Sequence, residues 1–181
     1  MNIIQFPELL QSYEYDCGAK ALEAMLAYYG IDIKEGELLK KLKTTNADGT
    51  MISDITDFLS KNGIDYESRS MTLEEVKDFL DKNIPVLIIL QAWSDLKNVD
   101  YDKDRKDGHY VVAIGYDDQG IESQNRIIFE DPYSFQRTYL SESELIHRWH
   151  SFQEGRRVSN HGIVIKNMTP KYDPKSIIRM K

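Results

Sequence analysis

Apolar positions in this chain recur with a helical period in its first half and with strand-like runs in its second. From Cys17 to Tyr29 one face carries Ala21, Leu22, Met25, Leu26 and Tyr29, and the pattern stops at Gly30, a usual helix terminator. A short helix is expected over Lys34 to Leu42. After Thr44-Thr-Asn-Ala-Asp-Gly49, Thr50 is placed to cap a helix through Ser60 that turns Ile52, Ile55, Phe58 and Leu59 inward and closes near Gly63. Ile64 to Ser70 alternates as a strand. Thr72-Leu-Glu-Glu75 has the form of a capping box and opens a helix through Lys82. Pro85-Val-Leu-Ile-Ile-Leu90 is continuously apolar, the pattern of a strand covered on both faces.

Two further strands carry polar residues at their ends. Gly108-His109-Tyr-Val-Val-Ala-Ile-Gly115-Tyr is rich in β-branched and aromatic residues and has the histidine at its mouth; Arg126-Ile-Ile-Phe-Glu-Asp131 stops at Pro132 with the carboxylate at its end. Asp117-Asp118-Gln119-Gly120 supplies turn chemistry between them, so they are expected to pair antiparallel, with His109 and Asp131 at the same end. Ser141-Glu-Ser-Glu144 caps a last helix through His150, on which His147 and His150 read as polar surface positions, and Gly162 to Lys166 adds an edge strand. Helices first and antiparallel strands later make the class α+β, a helical N-terminal lobe packed on an antiparallel sheet, with Cys17 and His109 on opposite walls of the cleft.

The length of 181 residues fits a single domain, 1–168, followed by a basic extension, 169–181, that is expected to be solvated. The net charge of −7 argues against a nucleic-acid partner. Apolar runs reach five residues at Val86 to Leu90, too short for a membrane span, and the N-terminus lacks the basic and apolar regions of a secretory signal. One cysteine forms no internal disulfide, so a reducing, cytoplasmic location is expected.

That cysteine stands at the start of a helix. Partial positive charge there favours a thiolate, and free backbone N–H groups can receive an oxyanion. Gln11, six residues earlier, adds a neutral side-chain donor for the same oxygen. A lone cysteine is more often a small buried hydrophobe, so its partners decide. His109 and Asp131 are the types that thiol activation needs: an imidazole to take the proton and a carboxylate to fix its tautomer. Asp16 is expected to cap the helix with its side chain, and Tyr13, Tyr15, Tyr28 and Tyr29 to pack or line the cleft. The acidic residues of the 93–107 stretch alternate, but Arg105 and Val111 occupy the positions where a calcium loop needs glycine and glutamate; the stretch reads as a solvated loop that leads into His109 and overhangs the cleft. The remaining histidines are too few for a zinc site, and no metal or cofactor is expected.

Gln11 with Asp16-Cys17-Gly18, then Gly108-His109-Tyr-Val-Val-Ala-Ile-Gly115-Tyr, then Glu130-Asp131-Pro132-Tyr133 resemble, in order, the signature segments of the papain-like peptidases that process double-glycine leaders of bacteriocins. The resemblance runs from about Gln11 to Trp149. It implies a papain-like cysteine peptidase fold with Cys17 as nucleophile, His109 as general base and acid, Asp131 as orienting residue and Gln11 in the oxyanion hole. It further implies a peptide or protein substrate, cleavage after Gly-Gly, and a separate exporter as a partner, because this chain lacks the transporter to which well-studied members are fused. A papain-like acyltransferase or deamidase would use the same residues, and an inactive peptide-binding module or a structural domain would use none of their chemistry.

Overall fold

The structure is a computed structural model and describes residues 1–118, 124–177 and 179–180. Helix α1 (Cys17–Tyr28) carries the apolar face expected of it: Leu22, Met25 and Leu26 are inaccessible to solvent. Tyr29 closes it and Gly30 follows at φ +78, a left-handed conformation open to glycine without penalty. Helix α2 (Glu35–Lys41) packs on α1 through buried Leu38, with acidic residues in its first turn and lysines in its last, which suits the helix dipole.

Helix α3 (Ile52–Lys61) corrects the capping expectation. Met51, not Thr50, is its N-cap residue, and neither side chain caps it. Thr50 instead bonds its hydroxyl to that of Thr44 at 2.8 Å and accepts the Tyr110 hydroxyl on its carbonyl at 3.0 Å. The free Ile52 N–H finds its acceptor in Gln153 Oε1, 101 residues away, at 3.0 Å. Helix α4 (Leu73–Asp81) has the full capping box between Thr72 and Glu75, and α5 (Glu142–Arg148) the same between Ser141 and Glu144.

Among the described residues, seven strands form one antiparallel sheet in the order β2 (Tyr66–Ser70), β9 (His161–Ile165), β3 (Val86–Gln91), β4 (Gly108–Asp117), β5 (Arg126–Glu130), β6 (Thr138–Ser141), with β1 (Asn2–Ile3) pairing beyond the end of β3 on the same edge of β4. All six residues of β3 are buried, and helices α1 and α4 pack against both β3 and β4. The strand over 162–166 is not at an edge, contrary to its sequence pattern; β9 lies inside the sheet between β2 and β3, which its apolar residues Ile163, Val164 and Ile165 suit. Strand β6 and the hairpin of β7 (His150–Gln153) and β8 (Arg156–Ser159) have no counterpart in the sequence pattern. His150 is consequently not a surface helix residue: α5 ends at Arg148 and His150 is buried at the start of β7. Of the turn expected at Asp117-Asp118-Gln119-Gly120, the last two residues lie outside the described residues.

The segment before α1 is strapped across the β4–β6 side of the sheet. Ile4 N–H bonds Ile114 O at 2.7 Å, Leu9 N–H bonds Glu130 Oε1 at 3.1 Å and Gln11 N–H bonds Pro132 O at 2.8 Å. Arg137 donates to Phe6 O at 2.7 Å and pairs with Glu8 and Glu130. At the other end of the chain, the Lys171 and Tyr172 N–H groups both reach Tyr28 O, so the exposed C-terminal segment satisfies a terminal carbonyl of α1. No helix among the described residues is long and apolar enough to cross a membrane.

Candidate active site

Cys17 is the first residue of α1 and is 8% exposed, in the wall of a cavity of about 450 Å³ lined also by Tyr15, Thr50, Tyr110 and Arg105. Gly18 permits this placement. A Cβ there would stand 2.7 Å from Thr50 Cβ and 2.8 Å from Tyr110 Cδ2, so glycine lets the helix start lie against β4 one residue from His109.

His109 and Asp131 share one end of the β4–β5 ladder because of a bulge. The ladder begins with Asp117 opposite Arg126 and Tyr116 opposite Ile127; continued without interruption it would set Asp131 opposite Val112, on the face away from His109. The register shifts between Ala113 and Gly115, so Val112 instead faces Glu130, and the next step sets Asp131 opposite Val111. His109, two residues along, then presents its ring to the same face. Its Nε2 lies 2.7 Å from Asp131 Oδ1, and the Cys17 side chain is close enough to interact with the same imidazole. With Nε2–H directed at the carboxylate, the neutral tautomer leaves Nδ1 as an acceptor.

Asp131 is 2% exposed and receives four donors. Oδ1 takes His109 Nε2 and, at 3.0 Å, the Tyr133 N–H; Oδ2 takes the Trp93 indole N–H at 3.0 Å and the Thr138 hydroxyl at 3.2 Å. Burial pushes its carboxyl up, but the bond and charge of His109, with the Tyr133 and Trp93 donors, prevail and hold it below its ordinary value. Burial likewise opposes charge on His109, and Asp131 and Cys17 together outweigh it, raising that pKa from 6.5 to about 9. Trp93 and Thr138 are absent from the residues the sequence singles out. Trp93 sits at φ +60 just after β3 and packs at a tilt on Tyr133, whose ring meets His109 edge-on; a donor-only indole at a strand end is the available signal.

Gln11 lies in the strap, its N–H tied to Pro132, the residue after Asp131. Its Nε2 donates to Tyr13 O at 2.9 Å, while Oε1 is buried without a hydrogen-bond partner among the described residues. An amide nitrogen carries two N–H groups, so one remains for an incoming oxygen. Gln11 lines a second cavity, of about 520 Å³, with Tyr13, Tyr133 and Phe135, and this cavity shares Glu14 and Tyr15 with the one at Cys17. The two cavities thus meet at Glu14 and Tyr15, with aromatic walls on the Gln11 side; Tyr13 and Tyr15 stack at 5.3 Å, whereas Tyr28 and Tyr29 are core residues.

Asp16 does not cap α1. Its side chain makes no capping bond and turns back to accept the Ser12 and Tyr13 N–H groups. The loop over 93–107 is mostly exposed, and Arg105 and Lys106 reach the cavity at Cys17. No group of three or more histidine, cysteine or acidic side chains able to hold a metal is found among the described residues.

The Peptidase_C39 like family matches residues 3–156. No curated protein matches the chain. Solved structures do. A double glycine motif protease from an AMS/PCAT transporter, in complex with its leader peptide, superposes with a TM-score of 0.62 at 16% identity over 94% of this chain and 95% of that one. A C39-like peptidase from Bacillus anthracis gives 0.67 at 15% identity, over 93% and 100%. The peptidase domain of Streptococcus ComA, a bifunctional transporter of a quorum-sensing pathway, gives 0.60 at 20% identity, over 91% and 98%. The mixed helix and antiparallel sheet of this chain is the papain-like fold of those domains.

Proposed function

Because the chain belongs to the Peptidase_C39 like family, we propose that it is a cysteine peptidase in which Cys17 is the nucleophile, His109 the general base and acid, Asp131 the orienting carboxylate and Gln11 an oxyanion donor. The observation that carries this reading is the 2.7 Å bond between His109 Nε2 and Asp131 Oδ1, with the Cys17 side chain close enough to interact with the same imidazole. His109 takes the thiol proton at Nδ1 and the sulfur attacks the carbonyl carbon. The oxyanion accepts from Gln11 Nε2 and from backbone N–H at the start of α1. As the C–N bond breaks, His109 protonates the departing amine and a thioester remains. Water then gives a proton to His109 and attacks the thioester; the acid leaves and Cys17 recovers its proton.

The substrate we assign is a peptide cleaved after Gly-Gly. Its support is the family and the double glycine motif protease, which is solved in complex with a leader peptide. Exposed Tyr133 and Phe135 beside the site offer apolar surface to such a chain, and a link to an exporter fits the transporter-linked neighbours.

Incubation with a peptide library under reducing conditions, read by mass, tests this. Cleavage after Gly-Gly is expected. A folded Cys17→Ala chain should lose turnover altogether and His109→Ala nearly as much, whereas Asp131→Asn should lose less because the base survives. Undiminished hydrolysis by Cys17→Ala would overturn the assignment. A one-dalton gain on glutamine or asparagine would make the protein a deamidase.

A further inference from the structure

Asp16 has no solvent-accessible surface, yet the capping role its position suggests is not the one it performs. Its two oxygens divide between neighbouring amides: Oδ2 accepts Ser12 N–H and Oδ1 accepts Tyr13 N–H, each at 3.2 Å. The same Tyr13 residue offers its carbonyl to Gln11 Nε2 at 2.9 Å. That contact settles which end of the Gln11 amide is nitrogen, since the reverse orientation would press two oxygens together. The path from the buried carboxylate to the amide of Gln11 therefore passes through one residue.

The carboxylate is itself held from behind. Lys20, buried on α1, pairs with Glu23 at 2.8 Å and with Glu35 of α2 at 3.3 Å, and both Lys20 and Glu35 stand near enough to Asp16 for their charges to act on it. Burial raises the Asp16 pKa against the pull of the two amides, with the Glu35 charge adding to the rise and that of Lys20 opposing it. A side chain kept in such surroundings orders the 12–16 loop more firmly than an exposed turn residue would.

We propose that Asp16 is a positioning residue: by fixing the Ser12 and Tyr13 backbone it sets the Tyr13 carbonyl that aims the Gln11 amide nitrogen at the oxyanion. Resting on the assignment of Gln11 to the oxyanion, the role adds a residue that touches no substrate but governs one that does. Asp16→Asn is the informative change. It keeps shape and one acceptor oxygen and places an NH2 group against the second amide.

The experiment is a double-mutant cycle on Asp16→Asn and Gln11→Ala, with hydrolysis of a Gly-Gly peptide and alkylation of Cys17 by iodoacetamide as separate readouts. Gln11→Ala is expected to slow acylation by roughly 10²- to 10³-fold, the scale of one oxyanion donor. Asp16→Asn should lower kcat by about 10- to 100-fold through misplacement of that donor, with KM within about twofold. Alkylation, which forms no oxyanion, should stay within about twofold of wild type, and adding Asp16→Asn to Gln11→Ala should cost less than about twofold more. Losses that multiply in the double variant, or alkylation that falls in step with hydrolysis, would overturn the role. Unimpaired hydrolysis by Gln11→Ala would overturn the oxyanion assignment and this role with it, and a wild-type chain without turnover would overturn the peptidase reading itself. Thermal unfolding reports whether each variant folds; should Asp16→Asn fail, Asp16→Ser, smaller and still an acceptor, takes its place in the cycle.

Discussion

The Trp93 indole nitrogen stands 3.0 Å from Asp131 Oδ2, on the side of the carboxylate opposite the one that holds His109. A carboxylate with only one partner can rotate, and the imidazole rotates with it. Here Thr138 and the Tyr133 N–H complete a set of four donors, so Asp131 has one orientation and the His109 tautomer follows from it. Trp93→Phe keeps an aromatic ring against Tyr133 and removes the donor. Turnover should fall about tenfold, equivalent to ~1.4 kcal/mol of lost support, with Cys17 still open to alkylation. Steady-state kinetics on the two proteins checks this, and an unchanged kcat would make Trp93 a wall of the cleft and nothing more. At this scale the sequence is only half legible. Cys17, His109, Asp131 and Gln11 are residues whose chemistry can be named from their type and local setting. The side-chain partners Thr138 and Trp93 lie seven and 38 residues from Asp131, and no local pattern joins them to it.

Helix α1 and strand β4 bring the two halves of the proposed site together, and their approach is limited by what lies between them. At Gly18 nothing but a hydrogen fits, because Thr50 and Tyr110 are themselves joined by the bond from the Tyr110 hydroxyl to Thr50 O. Gly18→Ala must push the helix start away from the strand. Overpacking of this kind costs about 1–3 kcal/mol, so the urea midpoint should fall, and turnover should fall further as Cys17 leaves the reach of His109. An alanine variant with the wild-type midpoint would show that the contact yields freely. The bulge at Ala113–Gly115 acts at the same scale: one extra residue in β4 turns His109 to the face of Asp131. Neither device is visible in hydrophobic period, which reports that a strand exists and which side is buried but not how it registers with a neighbour.

For the molecule as a whole, the His109–Asp131 pair links the site to the stability of the fold. His109 is raised from 6.5 to about 9, so its contribution is fully present below pH 6.5 and is lost as pH rises through about 9. Asp131 is lowered from 3.8, so its contribution is present above that value and is lost as pH falls through the depressed one. Wild type should therefore exceed His109→Ala in stability by an amount that shrinks by about 3 kcal/mol across the alkaline window, because each tenfold change in proton affinity between the folded and unfolded chain is worth about 1.4 kcal/mol. Denaturant unfolding of both proteins between roughly pH 6 and pH 10 measures that difference. A level difference would place the ring's support elsewhere.

What the sequence by itself determined is whatever is written in neighbouring positions. The helix from Cys17, the capping boxes at Thr72 and Ser141, and the buried strand after Pro85 all depend on spacings of a few residues, and all are in the structure. So is the α+β order, which follows from where the helical period gives way to apolar runs. Tertiary structure alone decided the rest. Gln153 rather than Thr50 completes the start of α3, β9 enters the sheet between β2 and β3, His150 is buried on a strand, and Asp16 serves the loop behind it instead of the helix ahead. The physical reason is common to most of them. A buried polar group must find a partner wherever the packed chain places one, and that partner's distance along the sequence is set by topology, which local patterns do not record.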